Sequence, residues 1–299
     1  MNTVALPVTR TAAVTLPFLF IVMWSSGYVA GKIGLPYAGP FTLIFIRFFS
    51  AAWILLMIAL ALRAPWPKSW KEAGHIAVVG ALIQALQFSG LYGGLSLGVS
   101  AGVSALIVGT MPIFTALGAA LFLKENVSSR QWGGLAVGLL GVAMVVSNKI
   151  AVHEASAAAY LCVALALIGV TAGTLYQKKF CSSMDLRTGG FIQLSVASLI
   201  AFVPALRHEG LQVDWSLPLI LSSGWLSVVN SIGAVSLLFL LVRRGEASRV
   251  AGLFYLIPAV TALMGFLVLR ETLSATAVAG FLVTASGVYL ATKKRGTTG

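Results

Sequence analysis

A chain of 299 residues with 59% hydrophobic and only 9% charged residues cannot clothe a soluble domain in charge, so lipid must be its solvent. Its net charge of +12 comes from basic residues scattered between apolar runs, with no basic patch interleaved with stacking aromatics. That excludes a nucleic-acid surface and leaves a topology signal.

Apolar runs of about 20 residues predict an all-α integral membrane protein with ten transmembrane helices. They lie near 14–33, 40–62, 74–94, 98–123, 130–147, 157–178, 188–206, 217–241, 248–269 and 275–292. The first run is too long for a signal-peptide core of roughly 7–15 residues and is read as a span. The connections are short, polar and punctuated by Pro36, Pro40, Pro65 and Pro67, so no aqueous domain is expected and function must lie among the helices. Cys162 and Cys181 would stand roughly 28 Å apart along one helix, too far for a disulfide.

Lys and Arg near helix ends are retained in the cytoplasm. With the N-terminus inside, that side carries fifteen basic residues against four outside (Lys32, Lys149, Arg207 and Arg270), and Arg47 is left within a helix. Both termini are expected to be cytoplasmic.

Sliding the chain against itself by 146 residues aligns two halves without a gap. Pro112 falls on Pro258, Glu125 on Glu271, Ser128 on Ser274, Gly134 on Gly280 and Gly141 on Gly287. Gly27 meets Gly173, Lys32 meets Lys178 and Gln84 meets Asn230. The expected units are 1–147 and 148–299, each a five-helix repeat. An odd number of helices makes the second enter the membrane inverted, the pattern that lets one sequence open to either face. A duplication retained for packing explains the repeat but not the inversion.

The stretch Ala101 to Val146, with Pro112, Lys124-Glu125, Ser128, Gly134 and Gly141, resembles the EamA-type repeat of the drug/metabolite transporter superfamily. Ala247 to Leu290 resembles the same unit, with Pro258, Arg270-Glu271, Ser274, Gly280 and Gly287. Trp24-Ser25-Ser26-Gly27 and the Arg47 region are similar to that family's first two helices; the second copy departs by carrying Gln193 where Arg47 stands. The resemblance implies a ten-helix exporter of amino acids or related metabolites in the bacterial inner membrane. Within the superfamily it points to the YddG-like branch, which exports aromatic and other neutral amino acids.

Arg47 is expensive inside a bilayer, by about 2.5–3.5 kcal/mol. It either attracts a substrate carboxylate or bonds to carbonyls at a helix break or beside a water-filled cavity, and the second reading is the more ordinary one. Gln84 and Gln87 share a helix face with Phe88, and Asn230 is the symmetry mate of Gln84. Such amides either tie helices together or line a substrate path, where they serve both ends of a zwitterion. Tyr28, Tyr92, Tyr176, Trp225 and Tyr255 offer ring faces and polar tips; interfacial anchoring is the commoner use. Trp24, beside Ser25 and Ser26, sits mid-helix as a pocket wall suited to apolar side chains or an ammonium. Pro112 and Pro258 are expected mid-helix as paired breaks pointing to the transport site. Glu125 and Glu271 read as helix-end residues that bind free backbone donors. The glycines around Gly134-x-x-x-Gly138 permit close helix contact, within a monomer or in a homodimer.

The eight acidic residues all fall in loops or at helix ends, which disfavours proton coupling through an intramembrane carboxylate and favours facilitated or exchange transport. His75, His153 and His208 are peripheral, no aspartate is intramembrane and no metal-ligand spacing occurs. No catalysis, cofactor or metal is therefore expected. The expected partners are a small-molecule substrate and the lipid bilayer. The rival readings are a multidrug or lipid-linked metabolite carrier of the same fold, and a channel.

Overall fold

The computed structural model describes residues 10–123, 128–151, 155–241, 254 and 256–292. Among them the structure is helical, without strands; a lone β-bridge joins Ala38 to Val213. Six stretches are long and apolar enough to cross a membrane: Thr15–Gly34, Pro40–Ala61, Trp70–Ser96, Ala157–Phe180, Leu186–His208 and Leu217–Leu238. Shorter apolar helices occupy Ala101–Thr115, Trp132–Val145, Ile257–Leu269 and Ala275–Leu290. The protein is a multi-pass helical membrane protein. Leu161, Leu199, Leu221 and Leu282 are more than half exposed, as a lipid-facing surface requires.

In chain order the helices are α1 (Arg10–Gly34), α2 (Pro40–Ala61), α3 (Trp70–Val79), α4 (Gln87–Ser96), α5 (Ala101–Val108), α6 (Met111–Leu123) and α7 (Ser129–Ala151). There follow α8 (Ala157–Phe180), α9 (Leu186–His208), α10 (Leu217–Trp225), α11 (Val235–Leu241), α12 (Ile257–Leu269) and α13 (Ala275–Thr292). Local chemistry sets several starts. Ser69, Ser100 and Ser156 accept the backbone N–H groups of Glu72, Val103 and Ala159, and Asp185 accepts that of Arg187. Pro40 opens α2, where its missing N–H costs nothing.

Two spans depart from simple helices. π-helical turns at Gly80–Leu86 and Leu226–Ala234 join α3 to α4 and α10 to α11. Their first residues are 146 apart, the offset of the sequence repeat. The helix expected over 98–123 divides at Gly109–Thr110, where Ile113 N donates to the Thr110 carbonyl (2.9 Å) instead of reaching four residues back. Pro112 and Pro258 accordingly do not stand mid-helix. Each is the second residue of its helix, α6 or α12, where a proline fits without disrupting the turn.

Glycines set the closest approaches. Gly287 of α13 lies on the backbone of Gly138, and Gly141 of α7 lies on Thr284 and Gly280, with no room for a Cβ. The small-residue face of α7 is thus used within the monomer. Gly90 and Gly94 of α4 pack on α8 in the same way. Gly102 brings α5 against Ala262 of α12, where an added Cβ would meet the alanine Cβ at 2.8 Å.

Candidate functional site

Arg47, about a third of the way along the α2 span, is 4% exposed. Its Nε donates to Ser231 Oγ (3.0 Å) and its Nη1 to the Tyr92 hydroxyl (2.7 Å). The guanidinium carbon lies 4.3 Å from the Phe88 ring centroid and 5.0 Å from that of Phe48. Two of five N–H groups are therefore engaged, both by neutral oxygens, and no carboxylate pairs with Arg47 among the described residues. Hydrogen bonds to a charged group contribute about 1.5–3 kcal/mol, and a desolvated cation–π contact about 2 kcal/mol. Together they offset an insertion cost of about 2.5–3.5 kcal/mol while leaving three donors without an anion.

Its surroundings come from a serine column on the strand of helix that ends in the second π-turn. Ser227 Oγ donates to the Ser223 carbonyl (2.7 Å), with the Arg47 carbonyl (3.1 Å) as an alternative acceptor for the same proton, and meets Ser50 Oγ at 2.8 Å. Ser231 Oγ reaches five residues back to the Leu226 carbonyl (3.0 Å), a reach the π-turn provides. Adjacent Asn230, 7% exposed, donates from Nδ2 to the Met23 carbonyl of α1 (2.6 Å) and lies flat against Gly27. Its Oδ1 is buried without a partner. Tyr92 in turn packs on Gly31, one turn further along α1.

The other predicted residues divide by location. Trp24 is ringed by Phe20 and Phe254 at centroid distances of 5.4 and 5.5 Å. Ser25 donates to the Ile257 carbonyl at 3.4 Å, and Tyr28 is buried in the main core. Trp225, though 46% exposed, donates from its indole N–H to Ser26 Oγ (2.8 Å), which donates to the Met23 carbonyl. Gln84 lies in the first π-turn and Gln87 just after it, and Gly169 of α8 is pressed against the Gln87 backbone nitrogen. Tyr176 is elsewhere: its hydroxyl meets His75 Nδ1 at 2.8 Å, and His75 stacks on Phe180 at 4.7 Å. Tyr255 and Glu125 lie outside the described residues. Among the described residues no His, Cys, Asp and Glu cluster is arranged for a metal ion.

Glu271 is held by Arg270, whose left-handed conformation (φ 56°) closes the end of α12 and lets Glu271 N donate to the Gly265 carbonyl. The carboxylate then accepts Lys32 Nζ (2.7 Å) and the first N–H of α5, from Ala101, at 2.9 and 3.1 Å. Lys32 Nζ also donates to the Val99 carbonyl at 3.2 Å. Glu209 performs a similar task for α2, accepting from Phe41 N (3.0 Å), Thr42 N (2.7 Å) and Thr42 Oγ1 (2.6 Å). Outside the spans, hydrogen bonds from Arg187 hold the Asp185 carboxyl below the usual range, and burial pushes the Cys181 thiol up.

Sequence reasoning passed over Lys32, Glu209 and Ser231 as site residues. Ser223, Ser227 and Ser231 at intervals of four were a readable signal for a polar helix face. The carboxylate–amide pairings were not, because they join residues 167 to 170 positions apart.

The membrane-crossing helices thus enclose a buried cation, neutral hydroxyls and amides. The model of the EamA-like transporter family matches residues 11–147 and again 157–293, and the chain belongs to that family. It is 30% identical to an uncharacterized transporter, YvbV, of Bacillus subtilis (strain 168), over 97% of this chain and 93% of the relative. It is 26% identical to an inner membrane transporter, YedA, of Escherichia coli (strain K12), over 86% of this chain and 83% of the relative. A probable amino-acid metabolite efflux pump of the same strain is 25% identical over 92% of this chain and 93% of its own. A solved crystal structure shares the fold, with a TM-score of 0.64 at 17% identity, covering 95% of this chain and 98% of that one.

Proposed function

We propose that the protein exports amino acids or closely related metabolites across the bacterial inner membrane by alternating access, as facilitated or exchange transport. In this reading it has ten spans, two inverted five-helix units (1–147 and 148–299) and cytoplasmic termini. The observation that carries the proposal is Arg47: a buried cation with neutral partners and unused donors calls for an anionic group, and a carboxylate matches its fork. The efflux-pump relatives favour the same substrate class.

Support for two inverted units comes from the twofold family match, from the π-turns at the repeat offset and from the charge asymmetry. In that topology Glu209 and Glu271 both stand at the outer face. Each is a second-unit carboxylate that pins the start of a first-unit helix, closing that face. The repeat offset sets Lys178 and Glu125 at the inner ends in place of Lys32 and Glu271, so the same residue types recur where the opposite face must close.

The test is flux of a labelled neutral amino acid in proteoliposomes, with competition by amino acids, sugars and lipophilic cations and with unlabelled substrate loaded inside. Carboxylate-bearing competitors should inhibit, internal substrate should accelerate uptake, and Arg47→Gln should abolish flux without loss of assembled protein. Inhibition by lipophilic cations alone would replace this proposal with a multidrug carrier. Uptake indifferent to internal substrate would indicate a pore.

A further inference from the structure

Asn230 presents a second unmet hydrogen-bonding demand beside Arg47. Its amide orientation is determined by the contact with the Met23 carbonyl at 2.6 Å, because exchanging the amide atoms would set two acceptor oxygens against each other. Oδ1 is then the end without a partner, buried in a residue that is 7% exposed. A buried acceptor left unpaired in a membrane protein is costly, and the cost is relieved by a donor that arrives from outside the fold.

The position of this acceptor gives it meaning. Ser231, the next residue in the same π-turn, holds Arg47 Nε. Asn230 rests on Gly27 and Tyr92, the other Arg47 partner, rests on Gly31, so the two meet α1 at points one turn apart, about 6 Å along its axis. One half offers guanidinium N–H groups to a carboxylate. The other offers a neutral carbonyl oxygen to a cationic N–H group, without the fixed negative charge that would trap it. The rings of Phe48, Phe88 and Tyr92 bound the Arg47 side.

We infer that Asn230 Oδ1 is the subsite for the substrate ammonium, so that the pair Arg47 and Asn230 selects zwitterionic α-amino acids over both simple carboxylates and simple amines. This rests on the reading of Arg47 as the carboxylate site. The π-turn is what separates the two functions: it aims Asn230 at α1 and its neighbour at α2, and the extra residue in the turn frees the backbone register for both.

The experiment uses the full chain in proteoliposomes, with L-phenylalanine, 3-phenylpropionate and phenethylamine as competitors of labelled neutral amino-acid flux. These share a ring and differ in which charged group they carry. In the unaltered protein L-phenylalanine should compete about tenfold better than either analogue, the worth of one charge-assisted hydrogen bond. Asn230→Leu should remove the advantage of L-phenylalanine over 3-phenylpropionate while leaving 3-phenylpropionate unchanged. Asn230→Asp, which keeps an acceptor and loses the tie to Met23, should shift preference toward phenethylamine. A residue that merely holds α1 would weaken all three competitors alike in both variants, and that result overturns the inference. If 3-phenylpropionate equals L-phenylalanine in the unaltered protein while Arg47→Gln abolishes both, the Asn230 assignment falls and the carboxylate site stands. If no carboxylate competes, both fall.

Discussion

Removing the Glu271 carboxylate should loosen one face of the protein by a calculable amount. The pair with Lys32 is partly exposed, with 26% and 12% of the two side chains accessible, and contributes about 1 kcal/mol. The cap on the Ala101 N–H contributes about another 1 kcal/mol. Glu271→Ala loses both, about 2 kcal/mol, and should raise the open population of that face roughly thirtyfold. Glu271→Gln keeps an acceptor for Ala101 and, like Lys32→Gln, should raise it only about fivefold. Val103 is 2% exposed and lines a small cavity beneath the carboxylate with Ala262 and Phe281. In a background lacking Cys162 and Cys181, the labelling rate of Val103→Cys by a membrane-impermeant thiol reagent reads the opening. Unchanged labelling in Glu271→Ala, or a larger effect from Lys32→Gln than from Glu271→Ala, would refute the reasoning.

Four further outcomes are expected. Gly287→Leu should lower thermal stability in detergent by about 1–3 kcal/mol, because it forces α13 off the Gly138 backbone. Gly133→Ala, which meets nothing within 4 Å, should be neutral or stabilising by up to about 1 kcal/mol. Asp185, whose folded carboxyl titrates below its unfolded value, stabilises the start of α9 at all pH values above the ordinary carboxylate pKa of about 3.9. That contribution disappears as pH falls through the lower folded value, so Asp185→Asn should flatten the acid limb of the stability profile measured by thermal unfolding. Single cysteines placed at positions 125 and 271 should label from opposite faces of sealed vesicles; labelling from one common face would remove the inverted arrangement.

The apolar runs announce most of the helices because lipid imposes a demand that each segment meets alone: every backbone group must be paired within its own helix. The helical segments at 40–62, 217–241 and 275–292 are accordingly legible almost to the residue. The repeat is equally legible, since a duplicated unit keeps its spacing whatever its orientation. Glycine positions signal close packing, but only the tertiary structure shows that Gly287 is pressed on Gly138 within one chain.

The π-turns and the company of Arg47 were not legible, and Pro112 announced a break in 98–123 without fixing it at Gly109–Thr110. A π-turn leaves the residue types unchanged and alters only which carbonyl each N–H reaches, a choice made by packing between helices. Arg47 is read from sequence as a costly charge with two opposed explanations. Tyr92, 45 residues away, and Ser231, 184 residues away, decide what surrounds it. Sequence by itself determined how many apolar segments exist, how they repeat and which side chains are too polar for lipid. The tertiary structure decided which of those side chains meet, because in a bilayer helix formation is a local requirement, whereas satisfying a buried polar group depends on which distant helix is packed against it.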